Sequence, residues 1–132
     1  MERTLLIIKP DAVKRNLTGY IIWRLNQAGF LIAEMRLERL SRQMAREFYA
    51  VHKDKSFYES LVEYMSSGPI VAMALEKNDA IAALREFIGA TNPAKAACGT
   101  IRQEIALNVQ ENSVHASDSP ENAAKETAFF FG

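Results

Sequence analysis

The chain has 132 residues, 48% of them hydrophobic, which suits a single domain with a sizeable core. Its 16 basic and 16 acidic residues cancel, and this balance argues against a scaffold that binds nucleic acid. One cysteine cannot form an intrachain disulfide, and with no secretory signal in the sequence we expect a cytoplasmic protein. From the chain length we expect one domain over residues 1–132. No apolar run is long enough to cross a membrane, so we expect no membrane partner.

The first forty residues predict a strand, a helix and a second strand. Thr4–Ile8 is a continuous apolar run, typical of a fully buried strand. A helical pattern follows Gly19 and ends at Gly29, which stands where glycine commonly terminates a helix. From Phe30 onward apolar residues alternate with charged ones, which predicts a half-buried strand.

The middle of the chain predicts three helices and a third strand. Ser41 is expected to cap one helix, and a second short helix covers Phe57–Met65. Ile70–Leu75 predicts another buried strand. We then expect Asn78 to cap a third helix, which Gly89 ends.

The last third predicts an irregular segment, a short strand and a final helix. Residues 90–111 show no clear periodicity, and long loops in compact domains are often functional. A short strand is predicted near Ser113–Ala116. Ser119 and Pro120 then predict the start of a helix, because serine is favoured at the N-cap and proline at the first helical position.

This order of strands and helices predicts an α/β sandwich. Pattern alone leaves two arrangements open, a doubly wound parallel sheet or the split βαβ of ferredoxin-like folds. The six glycines form neither a Walker nor a Rossmann phosphate-binding motif. With two histidines and one cysteine, the chain is also a poor candidate for a zinc site.

A histidine near the predicted last strand is the strongest candidate for catalysis. Histidine exchanges its proton near neutral pH, so the free base of His115 is available as a nucleophile. Glu126 lies two turns into the following helix, from where its carboxylate can reach back and fix the imidazole tautomer. The alternative is a histidine that only caps the end of a strand.

Three cations are candidates for a phosphate clamp. Lys9 follows the first buried strand, and open α/β sheets bind ligands at the carboxyl ends of strands. Arg85 lies on a predicted helix and Arg102 in the irregular segment. If both arginines lie close to Lys9, the three cations form a site for a polyphosphate. The alternatives are ordinary surface arginines and an ion pair between Lys9 and Asp11.

Four further residues are candidates for contacts with a phosphate, a sugar or a base. Thr91 and Asn112 carry small hydrogen-bonding groups, although both residue types are also common in turns. Phe57 begins a helix in a charged context, where an exposed ring can stack on a base. Tyr49 lies beside the apolar stripe of its helix. For both aromatic residues the alternative is a purely structural role at the edge of the core.

The segment Asn112–Ser119 resembles the signature of nucleoside diphosphate kinases, with an asparagine three residues before the active histidine and a Ser-Asp-Ser after it. The resemblance covers nearly the whole chain, from Arg3-Thr4-Leu5 to Phe129-Phe130-Phe131. Five further motifs match in order along the chain: Lys9-Pro10-Asp11-Ala12-Val13, Phe48-Tyr49 with His52, Ser67-Gly68-Pro69, Gly89-Ala90-Thr91-Asn92-Pro93 and Gly99-Thr100-Ile101-Arg102.

The resemblance implies a role for each candidate residue. His115 is the nucleophile that becomes phosphorylated, Glu126 orients its imidazole, and Ser117 supports Glu126. Phe57 stacks on the base. Asp118 orders water around Mg²⁺, which the nucleotide phosphates hold without a direct protein ligand. The phosphates and the sugar are held by six residues, of which the first is also catalytic: Lys9, Tyr49, Arg85, Thr91, Arg102 and Asn112.

The resemblance also implies a ferredoxin-like βαββαβ fold with a four-stranded antiparallel sheet covered by helices. The implied activity transfers the γ-phosphoryl group of a nucleoside triphosphate to a nucleoside diphosphate, ribo or deoxy, by a ping-pong mechanism. A homo-oligomer is expected, and because the chain stops at Gly132, directly after its last predicted helix, a tetramer competes with a hexamer. The alternatives are a catalytically silent homologue and a ferredoxin-like RNA-binding module.

Five residues at four sites depart from the family's pattern. Cys98 stands where the family usually has proline, which is expected to loosen the loop. Ala116 replaces a common glycine, Ser56 replaces a usual proline, and Gln103-Glu104 replaces a frequent Gly-Asp or Ala-Asp. None of the five carries a chemical group of the expected site, so the expected activity is unaffected.

Overall fold

The computed structural model describes all residues from 1 to 132 and contains one four-stranded antiparallel sheet. In chain order the strands are β1 (Glu2–Ile8), β2 (Leu31–Glu38), β3 (Ile70–Lys77) and β4 (Val114–Ala116). The helices are α1 (Pro10–Lys14), α2 (Thr18–Gln27), α3 (Arg42–Phe48), α4 (Tyr58–Met65), α5 (Ala80–Ile88), α6 (Ile101–Ile105) and α7 (Pro120–Phe131). Short 3-10 turns cover Ala50–His52 and Pro93–Lys95.

Across the sheet the strands lie in the order β2-β3-β1-β4, and every neighbouring pair is antiparallel. This order confirms the ferredoxin-like arrangement and excludes the doubly wound parallel sheet. No helix combines the length and the apolar character needed to cross a membrane.

Helices cover both faces of the sheet, and the central strand β1 is apolar on both sides for that reason. Leu6 and Ile8 belong to the layer that α2 and α5 complete, whereas Leu5 and Ile7 belong to the layer under α3, α4 and α7. All four side chains are fully buried. The continuous apolar run that predicts a buried strand thus reflects the position of β1 between two cores.

β2 is an edge strand, and it is more exposed than its alternating pattern predicts. Met35 is 54% exposed and Leu37 is 68% exposed. A register shift between Ile32 and Glu34 inserts one extra residue, which keeps Ile32 on the same face as Met35 and Leu37. On that face Ile32, Met35 and Leu37 pair with three residues of a single core layer: Leu75, Met73 and Val71.

The predicted cap of α5 at Asn78 is wrong. The helix begins at Ala80, and Asp79 at its N-cap has a left-handed backbone and makes no side-chain cap. The free N–H of Ile81 instead donates to Glu2 Oε1 at 2.9 Å. A carboxylate from β1 therefore satisfies the first turn of α5, and no local pattern near Asn78 indicates it.

Hydroxyl side chains cap three helices, of which the sequence predicts two. Ser41 and Ser119 each accept a backbone N–H of the following turn, which confirms both predicted caps. Thr100 does the same for α6 by accepting from the N–H of Gln103 at 3.3 Å. The segment 90–111, predicted to be irregular, thus contains a short capped helix and a 3-10 turn.

The end of α5 gives a test of this packing. Gly89 has a φ of 89°, and a Cβ added there would lie 2.5 Å from Thr100 Oγ1, the cap of α6. Gly89→Ala is expected to lower the free energy of unfolding by about 2–3 kcal/mol, because the backbone region favours glycine and the site has no space.

Gly68→Ala is the matched control, since its φ is not positive and a Cβ there would meet only Pro10 Cβ, in ordinary contact at 3.8 Å. It is expected to leave stability unchanged or to raise it by up to about 1 kcal/mol. Urea unfolding of both variants measures the difference, and equal losses of stability in the two would contradict this account of Gly89.

Candidate active site

The candidate nucleophile lies in the middle of the short edge strand β4. His115 pairs with Ile7 of β1, and its imidazole is only partly buried. The rings of Phe48 and Tyr49 present edge-to-face contacts to it, with centroids 5.5 Å and 5.9 Å away. These contacts restrict the rotation of the imidazole and hold it at the border of the sheet.

A hydrogen bond to α7 determines which ring nitrogen of His115 is free. His115 Nε2 lies 2.8 Å from Glu126 Oε1, and Ser117 Oγ donates to the same oxygen at 2.7 Å. A carboxylate only accepts hydrogen bonds, so the proton of the neutral imidazole lies on Nε2. The lone pair is then on Nδ1, which is the nitrogen able to attack an electrophile.

A sharp turn directly before β4 directs Asn112 away from the strand. The N–H of Val114 donates to the carbonyl of Asn112 at 2.9 Å, closing a three-residue turn around Ser113. Ser113 is buried and has a φ of 76°, a region that serine rarely occupies. Its carbonyl accepts the backbone N–H of Lys9 at 2.9 Å, which joins the turn to the end of β1.

Lys9 is buried at the end of β1 and is held by the turn. Its Nζ donates to Asn112 Oδ1 at 2.8 Å and more weakly to the carbonyl of Gln110 at 3.4 Å. The other end of the Asn112 amide donates to the carbonyl of Thr91 at 3.1 Å. Burial, with the charge of Arg102 in addition, lowers the pKa of Lys9 to about 8. No direct ion pair joins Lys9 to a carboxylate.

Two arginines reach the free edge of β4 on either side of His115. Arg102 donates to the carbonyl of Val114 at 2.7 Å, and Arg85 approaches the carbonyl of Ala116 at 3.4 Å. Burial and the neighbouring Arg85 lower the pKa of Arg102 to about 10. Neither guanidinium has an acidic partner. Cations that converge without a counter-charge form a site suited to an anion.

Aromatic rings connect the nucleophile to the surface. The ring of His52 stacks on Tyr49 with centroids 6.5 Å apart and lies 5.6 Å from the half-exposed ring of Phe57. The hydroxyl of Tyr49 is buried without a hydrogen-bond partner, and burial raises the pKa of this tyrosine. An unpartnered buried hydroxyl next to the imidazole is a donor available to a ligand.

Asp118 is the exposed carboxylate of this region. It accepts from Asn122 Nδ2 at 2.6 Å, and this hydrogen bond, aided by the charges of Arg85 and His115, holds the pKa of Asp118 below its usual value. The chain contains no group of three or more His, Cys, Asp or Glu side chains placed to hold a metal ion.

Sequence reasoning missed a contact that ties the irregular segment to α4. Gln110 donates to the carbonyl of Ser60 at 3.1 Å, and Ser60 Oγ donates back to Gln110 Oε1 at 3.2 Å. The backbone carbonyl of Gln110 is thereby placed beside Lys9. No pattern in either segment indicates this pairing, because the two residues are fifty positions apart.

Comparison with known proteins decides the family. The model for nucleoside diphosphate kinases matches residues 2–132. The chain belongs to the nucleoside diphosphate kinase family. A nucleoside diphosphate kinase from Desulfatibacillum aliphaticivorans is 56% identical over 99% of this chain and 95% of its own. One from Persephonella marina is 52% identical, with 99% and 94% coverage.

Solved structures agree with this assignment. The fold is similar to a crystal structure of the nucleoside diphosphate kinase of Aquifex aeolicus, with a TM-score of 0.97 and 45% identity over 99% of this chain and 95% of that one. The enzyme of Halobacterium salinarum in complex with CDP has a TM-score of 0.94 and 39% identity, with 98% and 87% coverage. The chain is a phosphotransferase that acts between nucleotides, and nothing favours the RNA-binding or catalytically silent alternatives.

Cys98, where the family usually has proline, occupies a turn that suits proline. The carbonyl of Ala97 accepts the N–H of Thr100 at 3.2 Å, and Gly99 has a φ of 88°. These features define a type II β-turn with Cys98 at its second position, where proline is favoured. The N–H of Cys98 makes no hydrogen bond, and its side chain is exposed.

Cys98→Pro is therefore expected to raise the free energy of unfolding by about 0.4–1 kcal/mol, because it restricts the unfolded chain and removes no contact. Cys98→Ala is the control, and it is expected to leave stability unchanged because alanine does not restrict φ. Thermal unfolding of both variants gives the comparison. A proline variant less stable than the alanine variant would show that the turn is incompatible with proline.

Proposed function

We propose that this nucleoside diphosphate kinase works by a ping-pong mechanism in which His115 Nδ1 carries the phosphoryl group. The observation that carries the proposal is the contact of His115 Nε2 with Glu126, which Ser117 supports. It leaves Nδ1 as the free nitrogen and compensates the positive charge that the ring acquires when Nδ1 is phosphorylated.

Two in-line displacements complete the reaction. Nδ1 of His115 attacks the γ-phosphorus of a nucleoside triphosphate, the bond to the β–γ bridging oxygen breaks, and the diphosphate leaves with the electron pair. A terminal oxygen on the β-phosphate of the second nucleoside diphosphate then attacks, and the N–P bond breaks. His115 returns to its free state with its proton still on Nε2. One site serves both nucleotides in turn.

The cation cluster holds the phosphates in this proposal. Arg85 and Arg102 lie on either side of His115 along the edge of β4. Lys9 is held near them by its hydrogen bond to Asn112. Charges fixed in a partly buried site stabilise the transferring group more strongly than charges in water do. Arg102 keeps Nε unpartnered, which supports a ligand contact at this group.

Aromatic and polar groups around the cluster are proposed to hold the rest of the nucleotide. The half-exposed ring of Phe57 stacks on the base, and such stacking accepts any base because every base has a π-face. Ribo- and deoxynucleotides are both proposed as substrates. The buried hydroxyl of Tyr49 donates to a phosphate, and Thr91 and Asn112 line the sugar side. The enzyme of Halobacterium salinarum was solved in complex with CDP, which supports a nucleotide as the ligand of this chain.

We further propose that Mg²⁺ is the cofactor and enters with the nucleotide phosphates. With no cluster of acidic or histidine ligands in the chain, the phosphates are left to hold the ion. The exposed carboxylate of Asp118 fits a contact through water. When bound, the ion neutralises phosphate charge. Lys9, Arg85 and Arg102 position the phosphates.

The proposed assembly is a homo-oligomer, as a tetramer or a hexamer. The apolar side chains of the edge strand β2 support it, since Met35 and Leu37 line an open groove of about 480 Å³ with Val13, Ile22 and Val71. An exposed edge strand with apolar side chains is normally covered by another chain.

We also propose that residues 1–132 act as one domain in the cytoplasm, which the exposed thiol of Cys98 supports.

Incubation with labelled MgATP and no acceptor tests the mechanism. One acid-labile, alkali-stable phosphate per chain is expected, the behaviour of a phosphohistidine. His115→Ala is expected to abolish the label, whereas His52→Gln, which alters the only other histidine, is expected to keep it. Label retained in the His115 variant would assign the phosphoryl group to another residue.

Leu37→Glu tests the assembly, because a charge in a buried apolar interface is costly. The variant is expected to dissociate at least in part into smaller species, measured by light scattering at micromolar concentration. Val51→Glu is the control, since Val51 is 79% exposed but lies in the turn after α3, away from β2. A monomeric wild-type protein, or a Leu37 variant with the native mass, would contradict the proposed interface.

A further inference from the structure

Asp11 is a buried carboxylate beside the site that the proposed mechanism does not use. It is 6% exposed and lies in the first turn of α1. The hydroxyl of Tyr64, on α4, donates to Asp11 Oδ1, and Ser113 Oγ approaches Oδ2 at 3.4 Å. The backbone N–H of Asp11 donates to the Tyr64 hydroxyl oxygen at 3.1 Å. Both carboxylate oxygens are thus engaged by neutral donors.

Burying a carboxylate without a direct cationic partner is costly. The carboxylate lies close to Lys9, since Ser113 accepts the backbone N–H of Lys9 through its carbonyl at 2.9 Å and approaches Asp11 through its hydroxyl. The charge of Asp11 raises the pKa of Lys9 and opposes the larger effects of burial and Arg102, which lower it. A second acidic group, Glu111, also faces this cluster, beside Tyr64. Burial and the contact with Asp11 raise the pKa of Tyr64, which keeps its hydroxyl protonated and donating.

We propose that Asp11 is a positioning residue that acts through Lys9, and that Tyr64 and Ser113 restrain its carboxylate so that it compensates the Lys9 charge without binding the ammonium group. This inference rests on the proposed function in one respect, namely that Lys9 binds the nucleotide phosphates. The ammonium group then remains charged near neutral pH and directed toward Asn112 and the nucleotide.

The restraint matters because of what an unrestrained carboxylate would do. A carboxylate free to turn would form an ion pair with Lys9 and compete with the phosphates for it. A missing carboxylate would leave Lys9 facing burial and Arg102 alone, and its ammonium group would lose its proton at a lower pH. The two changes therefore shift the titration of Lys9 in opposite directions, which a merely structural role of Asp11 would not do.

Competitive labelling of amines measures this titration directly. The folded protein is treated with trace acetic anhydride from about pH 6 to about pH 11. Peptide mass spectrometry follows Lys9 and an internal reference, the exposed Lys14 at the end of α1. Asp11→Asn, which keeps an acceptor for Tyr64, is expected to lower the Lys9 midpoint by about one pH unit. Tyr64→Phe, which frees the carboxylate, is expected to raise it by about half a unit.

Tyr58→Phe is the matched control, since it also removes a tyrosine hydroxyl from α4, one that donates to the carbonyl of Arg46 away from the site. Its Lys9 midpoint is expected to equal that of the wild type. An unchanged or raised midpoint in Asp11→Asn overturns the proposal. Should that variant not fold, Tyr64→Phe decides, and an unchanged or lowered midpoint there overturns it.

The labelling result is independent of the proposed catalytic mechanism. It needs no turnover, so a shifted midpoint together with a protein that MgATP does not phosphorylate would retain the coupling and reject the phosphohistidine. Phosphorylation of His115 with an unshifted midpoint would do the reverse. If the coupling of Asp11 to Lys9 and the phosphohistidine are both found, the alkaline limb of the pH profile of kcat/KM is expected to move with the Lys9 midpoint in each variant.

Discussion

The hydrogen bond between His115 and Glu126 joins an edge strand to the last helix, and the rest of the site is arranged around it. β4 has only three residues, so its position depends on β1 and on the N–H of Ser117, which donates to the carbonyl of Leu5. The serine cap then starts α7 so soon after the strand that Glu126 faces back toward the imidazole. A different starting point for the helix would rotate this carboxylate away from His115.

The buried charges of the site lower the stability of the empty enzyme, and hydrogen bonds to backbone carbonyls offset part of that cost. Lys9 and Arg102 are buried with no ion pair, which costs free energy in the empty enzyme. The free edge of β4 offers unpaired carbonyls, and Arg85 and Arg102 use them. The same contacts protect an edge that would otherwise be open to another strand. Backbone dipoles are weak partners for a guanidinium, so an incoming phosphate still gains from replacing or adding to them.

Local patterns predict the elements whose stabilising contacts are themselves local. The caps at Ser41 and Ser119 and the buried runs of β1 and β3 follow from residues a few positions apart. The choice of an antiparallel sheet came from the family resemblance, because periodicity does not encode strand order. Most candidate site residues follow from residue type and position alone, and the resemblance adds their roles together with Ser117 and Asp118. The structure brings most of them to the edge of β4, while their individual roles stay proposals.

Contacts between distant segments explain what the sequence could not predict. Glu2 caps α5 from a position 79 residues earlier, and Tyr64 meets Asp11 across 53 residues. The exposure of β2 has a different cause, since β2 is an edge strand whose apolar residues Met35 and Leu37 face the side of a core layer but remain more than half exposed. Such a pattern describes a face that needs burial, and it does not say whether the chain itself or a second copy supplies the cover.

The segment that carries Arg102 shows how a loop without its usual proline is held in place. Arg24 on α2 donates to the carbonyl of Gly99 at 2.8 Å and forms an ion pair with Glu104 at 2.8 Å, which Tyr20 also contacts. A proline would restrict the unfolded chain, whereas these contacts, of about 1 kcal/mol each, stabilise only the folded loop. Glu104 is one methylene longer than the aspartate frequent in the family, which adds reach toward α2. The position of Arg102 beside β4 thus depends on contacts made in the folded loop, because Cys98 does not restrict the backbone as proline would.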